Sequence, residues 1–598
     1  MSPARHQGKI EPFLFAILAR KFDSITKEMT NTLLRSGRSG VVNMGHDFSC
    51  ATVDNQHRVI SVADGSPCHI GAAGLQTSIL EDIFGNDIHP GDCFINTCSY
   101  FGNTHNGDFT IFAPVFYQGE RLFYTLTRAH QADIGAPIPS SYLAFSKTIY
   151  EEGLQLPCMR IQRDYKDIEE MIRMCRIRIR VPEQWYGDYL AQIGAVRIAE
   201  RRCLELCQKY GLETIKAFFE EWQEYGQRCM IEEIRKMPRV VLEGLGGHDP
   251  VPGVADNGIP IKVKIAVEPE EGRIVVDLRD NMDNVPGGFN LSEATTRSAT
   301  LIGVLHTMPA SVPHNEGAFS RIEILMREGA VVGKPKYPVS TGLATSNVAD
   351  RLATIITSTF AQLGPPYGSA EGNTSFVAAP VISGKDWRYN DAEYINQLII
   401  LGGGPGVCGY DGWVIYGVAQ DNGVLHQDSV EVTEQKYPLL FDKEELTTDT
   451  GGDGQWRGAP TLDVQMGPRK AKSTFHWFND QHFNPARGVL GGAGARPSNA
   501  LKLDLDTGQT TQLDQFGSVD LNPNERFIAL NATGGGYGDP LERDPEAVRW
   551  DVREEIVSFE RARDVYGVVI DTGPEKYTVD YEATKKLRQE LKNKRGKE

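Results

Sequence analysis

Positive charge is in deficit in this 598-residue chain: 62 Lys and Arg stand against 79 Asp and Glu, a formal net charge of −17. That balance argues against nucleic acid or an anionic membrane as the main partner, since either would call for a basic face. No apolar run reaches the roughly 20 residues that cross a bilayer. The stretch FLFAILAR (Phe13–Arg20) follows Glu11 and lacks a small-residue cleavage site, so it reads as amphipathic helix and not as a leader. The ten cysteines are scattered and none forms Cys-x-x-Cys, which points to reduced, mostly buried thiols in a cytoplasmic protein. Phosphate loops are missing as well. GGGPG (Gly402–Gly406) has no Lys-Ser/Thr after it and no strand–GxGxxG–helix setting, and GGGYG (Gly534–Gly538) fails the same test. With no Gly-x-Ser-x-Gly elbow either, neither nucleotide binding nor acyl-serine chemistry is expected of this chain.

The chain is too long for a single hydrophobic core. The expected fold class is α+β, in four regions. Residues 1–160 read as β-rich after an opening helix, with strands such as DFSCATVD and RLFYTLTRA. Residues 161–245 repeat apolar side chains at three and four, as a helical segment does, and Pro182 interrupts them. Residues 246–540 form a mixed, Gly-rich region that begins with a hairpin turning at EPEEGR. Residues 541–598 are helical and highly charged, ending in what reads as a frayed tail.

The stretch THNGDFTIFAPVF (Thr104–Phe116) carries the chemistry. His-x-x-Asp sits in a Gly/Asn-rich loop just before a strand, and after a turn at QGER a second strand runs into RAHQADIG. If the strands form a hairpin turning near Gly119, Asp108 and His130 face each other at its open end, and His105 can fold back onto them. Two imidazoles and a carboxylate suit a divalent ion such as Mn²⁺, Fe²⁺ or Zn²⁺, with positions left open. Asp47, at the start of another strand, offers a second carboxylate. Arg128 could clamp a substrate anion or make a surface ion pair, and Asp133 stands close by in sequence. The same residue types also serve as ordinary turn and strand-end chemistry, and both readings stand. His46 and His69, near strand ends, read as structural histidines.

These stretches resemble the hydantoinase B family, the second large component of 5-oxoprolinases, hydantoinases, caprolactamase and the acetone and acetophenone carboxylases. The resemblance runs nearly end to end, through HIGAAG (His69–Gly74), PHNEGAFSRIEI (Pro313–Ile324), EVTEQKYPLLFDKEELTTDTGGDGQWRGA and GGGYGDPLERDPEAV. It implies His105, Asp108 and His130 as metal ligands, Asp47 as a further acidic position, and catalytic roles for His105, His130, Asp133 and Arg128. The family commonly shows HLPD where this chain has HNGD, and HHADIGG where it has HQADIGA. The resemblance also implies a hydantoinase A-type partner that binds ATP and Mg²⁺, and no biotin. On the hydrolase reading, water attacks a phosphorylated cyclic amide such as a hydantoin, 5-oxoproline or lactam. On the carboxylase reading, CO₂ derived from bicarbonate meets an enol or enolate of a ketone. The motif departures, and a length short of the acetone enzyme's subunit, favour an acetophenone carboxylase-type subunit. A scaffold subunit with a vestigial site is the third reading.

Overall fold

The strands expected near the N-terminus pair into one antiparallel sheet of seven. In chain order they are β1 (Phe48–Asp54), β2 (Val59–Val62), β3 (Cys93–Asn96), β4 (Asp108–Tyr117), β5 (Glu120–His130), β6 (Met159–Arg163) and β7 (Lys166–Asp167). In space the order is β2-β1-β5-β4-β3-β6-β7. The structure, a computed structural model, describes residues 10–63, 67–421, 425–571 and 577–595.

The central strands are buried on both faces, which is why their sequences run apolar without strict alternation. One face packs on helices Pro12–Ser36, Pro182–Tyr210 and Leu212–Ile234. There Phe22 stacks on Phe218 at 5.4 Å, beside Phe109, Ile111 and Phe123. The first helix begins where the Glu11 carboxylate accepts from the Leu14 amide and Pro12 presets the first turn. The second starts with Pro182 and ends at Gly211, whose φ of 84° no β-carbon would favour. The other face presents Ala51, Phe112 and Leu126 to a larger apolar cluster that reaches Phe516, so the N-terminal sheet and the Gly-rich region share a core.

The mixed α+β architecture agrees with the sequence reading. The EPEEGR hairpin forms as expected, with Arg273 opposite Glu268, inside a four-stranded sheet. A further four-stranded and a five-stranded sheet follow. The Gly-rich stretches pack on each other's backbones. The amides of Gly406, Gly452 and Gly536 donate to the carbonyls of Gly535, Gly534 and Ala493 at 2.9–3.0 Å. The C-terminal stretch differs from its expectation as a frayed tail. Tyr581–Arg595 is helix, held by Arg588 donating to the Arg543 carbonyl at 2.6 Å, while 596–598 lie outside the described residues. All ten cysteines are free and eight are buried. Among the described residues no helix is long and apolar enough to cross a membrane.

A buried ion pair ties helix Val348–Phe360 to the strands behind it. Arg351 grips Asp480 through Nε and Nη2 at 2.6 and 3.0 Å, and Thr374 donates to the same carboxylate at 2.8 Å. Burial alone would raise the Asp480 carboxyl, but the Arg351 charge outweighs it and holds the group down to about 2. A carboxyl depressed in the fold contributes stability above its unfolded value near 4 and loses it as pH falls toward 2. Asp480→Asn should therefore lose several kcal/mol at pH 7, where Arg351 loses the carboxylate that grips it through two nitrogens. The difference from wild type should shrink by roughly 2 kcal/mol between pH 4 and pH 2. Urea midpoints of both proteins at these pH values test it; a pH-independent difference refutes it.

Candidate metal centre

β4 and β5 join through a two-residue loop, Gln118 and Gly119, both at positive φ (53° and 84°), the backbone of a type I′ turn. A loop that tight fixes the register. Tyr117 faces Glu120 and, past one bulge, Asp108 faces His130. β1 lies along the other side of β5, with Phe48 opposite Ala129 and the His130 amide donating to the Asp47 carbonyl at 3.1 Å. Three adjacent strand ends thus set Asp47, His130 and Asp108 in one row. The next row on the same face is Ser49, Arg128 and Thr110. His105 reaches back from the loop, which Asn103 clamps by donating to the carbonyls of both His105 and Asp108.

His105 Nε2, His130 Nδ1 and Asp108 Oδ1 form a triangle with sides of 3.2, 3.2 and 3.1 Å. All three residues are essentially inaccessible to solvent. Hydrogen bonds cannot satisfy such a triangle. If both nitrogens carry protons, two donors confront each other; if either does not, its lone pair faces another acceptor. A cation at the centre removes the conflict. Ligand atoms about 2.1 Å from an ion lie about 3.0 Å apart in octahedral and about 3.4 Å apart in tetrahedral geometry, which brackets these distances. Within this triad the ligand atoms lie within 4.8 Å of one another.

The remaining atoms of the triad are held from outside. Ser141 Oγ sits 2.8 Å from His130 Nε2, and the Gly342 carbonyl faces His105 Nδ1 at 3.4 Å. Asp108 Oδ2 accepts from Thr104 Oγ1 and lies 3.3 Å from His69 Nε2. The Tyr142 ring stacks on His130 at 4.9 Å. Gly107 leaves the room: a β-carbon there would fall 2.6 Å from His105 Cε1 and 2.7 Å from His130 Cε1. Burial works to raise the Asp108 carboxyl, but the imidazoles of His105 and His69 hold it well below the usual carboxylate range. For His105 burial pulls the other way, and the Asp108 charge still leaves its imidazole raised. The chemistry available is that of a carboxylate kept ionised beside two imidazoles in a dry interior.

Two expected site residues are placed differently. Arg128 makes no surface ion pair. It is buried, donating through Nε to Thr110 Oγ1 at 2.7 Å and through Nη1 to the His69 carbonyl at 3.2 Å, and burial pushes its guanidinium down to about 10. Its Nε and Nη1 donors are taken up by the protein itself. Asp133 is paired elsewhere. The chain turns away after His130, and the Asp133 carboxylate accepts from the Arg180 amide at 2.6 Å and from Arg180 Nη1 at 2.7 Å. Asp47 stands at the rim, its charge acting on His105 and His69. His46 lies against His426, ring centroids 3.8 Å apart, and burial, then that neighbour, pushes it down to about 4.

The main residue that sequence reasoning underweighted is His69. It comes from the short turn Pro67–Ala72, which meets the sheet only in three dimensions. Ser141, Tyr142 and Gly342 arrive the same way.

A family model described as Hydantoinase B/oxoprolinase matches residues 11–540. The caprolactamase subunit beta of Pseudomonas jessenii is 28% identical over 574 residues, covering 94% of this chain and 97% of that protein. The crystal structure of ATP-dependent caprolactamase from the same species superimposes with a TM-score of 0.87 at 26% identity, over 97% of this chain and 100% of that one. A 5-oxoprolinase from Pestalotiopsis fici is 26% identical over 90% of this chain, which spans 42% of its length. Nucleotide-free acetone carboxylase shares the fold, with a TM-score of 0.87 at 18% identity over 98% of this chain and 83% of that one.

Proposed function

This chain belongs to the hydantoinase B/oxoprolinase family, and on that premise we propose that it is the hydantoinase B-type subunit of an ATP-dependent cyclic-amide hydrolase. The observation that carries the choice is the caprolactamase subunit, matched along 97% of its own length, whereas the carboxylase likeness is one of fold. The reading takes His105, Asp108 and His130 as ligands of a divalent ion, with Asp47 at its rim. Such an ion would supply a Lewis acid able to polarise a carbonyl and to lower the pKa of water.

The residues do the rest. Ser141 and the Gly342 carbonyl keep His130 Nδ1 and His105 Nε2 turned inward. Thr104 and His69 occupy Asp108 Oδ2, so Oδ1 faces the imidazoles. The dry surroundings strengthen every charge interaction at that point. ATP and Mg²⁺ are assigned to a hydantoinase A-type partner, which would activate the amide oxygen by phosphorylation. This chain alone should be inactive and should not bind ATP tightly; micromolar binding by calorimetry would contradict that.

The second reading, a biotin-independent ketone carboxylase of the acetophenone type, is favoured by the near-complete burial of His105, Asp108 and His130. CO₂ and enolate are both lost to water, so a dry site serves them most. The test is co-expression with the ATP-binding partner. ATP-dependent opening of lactams or hydantoins is expected, and ketone-dependent fixation of labelled bicarbonate in its place would transfer the assignment to the second reading.

A further inference from the structure

His69 lies directly over the two rows of the β1-β5-β4 face. Its Nδ1 is 2.9 Å from Ser49 Oγ in the second row, and its Nε2 is 3.3 Å from Asp108 Oδ2 in the first. The Asp108 carboxylate can only accept, so a proton sits on Nε2, while the Ser49 hydroxyl holds Nδ1 from the other side. The His69 backbone is fixed too, because Arg128 Nη1 donates to its carbonyl while Arg128 Nε is tied to Thr110. Gly71 N donates to Ser298 Oγ at 2.9 Å, pinning the turn to the neighbouring helix Glu293–Leu305.

We propose that His69 is a positioning residue of the metal centre, an imidazole that, backed by Ser49, anchors Asp108 Oδ2 and so presents Oδ1 alone to an ion held with His105 and His130. This rests on the metal reading above. The alternative occupant of that position shows why an imidazole serves. Arg128 lies in the adjacent row, and its guanidinium on Asp108 would cancel the one negative charge of the triad. Committed instead to Thr110 and the His69 carbonyl, it leaves that charge to the ion. Thr104 and His69 together fill Oδ2, which prevents the carboxylate from swinging into a two-oxygen grip. Outer partners of this kind typically change metal affinity by about 10- to 100-fold.

The test uses the full chain, with Mn²⁺ and Zn²⁺ affinities measured by competition with a chelator and with the visible absorption of the Co²⁺-loaded protein. His69→Ala should bind about 10- to 100-fold more weakly and shift the Co²⁺ bands, as Asp108 turns. His69→Gln, which keeps an N–H donor, should recover part of the affinity. Ser49→Ala should lose affinity in the same direction with His69 still present, which keeps the test decisive if His69→Ala fails to fold. A folded His69→Ala or Ser49→Ala protein with wild-type affinity and an unchanged Co²⁺ spectrum would overturn this assignment alone. Wild-type protein that binds none of the three ions overturns the metal reading and this assignment with it.

Discussion

His105→Ala and His130→Ala should each reduce turnover of the reconstituted enzyme by about 10³-fold or more, as expected when a centre that stabilises developing charge is dismantled. Each substitution removes one of three atoms that lie 3.1–3.2 Å apart, leaving two, too few to hold an ion firmly in competition with water. The fold should survive. Asp108 keeps Thr104 and His69, so its carboxylate is not stranded, and the register of β4 and β5 is set by the loop at Gln118–Gly119. Asp108→Asn should keep the shape but weaken metal affinity, since it removes the triad's one firm negative charge. Gly107→Ala should give the same loss without deleting any donor, because its β-carbon would press on both rings at 2.6–2.7 Å. Metal content, turnover and thermal midpoint of each variant make the measurement. Near-wild-type turnover in His105→Ala or His130→Ala would return the loop to plain turn chemistry.

The largest effect on stability is expected from Gly534→Ala. A β-carbon there would lie 2.3 Å from both N and Cα of Pro405 and 2.4 Å from the Gly404 carbonyl carbon. All three are backbone atoms, so no side chain can rotate away. The glycine segments must part, taking with them the Gly452–Gly534 and Gly406–Gly535 hydrogen bonds. Ordinary overpacking costs about 1–3 kcal/mol where side chains can adjust; here the cost should exceed about 3 kcal/mol and show as poor soluble yield or a thermal midpoint lower by many degrees. Gly119→Ala is the control. Its β-carbon meets nothing within 4 Å, so only the positive φ is penalised, at about 1 kcal/mol. Equal midpoints for the two variants would refute the backbone-packing account.

The amino-acid sequence determined the centre of the site because that centre is local. A two-residue loop leaves one register for the strands it joins, and the register alone sets Asp108 opposite His130, with His105 three residues upstream. The α+β class was legible for a similar reason, since apolar spacing in helices and strands is a short-range signal. What surrounds the triad was not. His69, Ser141 and Gly342 reach it from separate turns, and nothing in their neighbours' residue types marks the meeting point. Asp133 shows the converse: only three residues past His130, it is drawn off by Arg180, 47 positions away. The glycines were visible as runs, but that Gly534 would press on Pro405, more than a hundred residues earlier, depends on how the two glycine segments meet in the fold. Short-range sterics fix a hairpin's register within the chain itself, whereas close packing decides which distant side chains and backbones share the space around it.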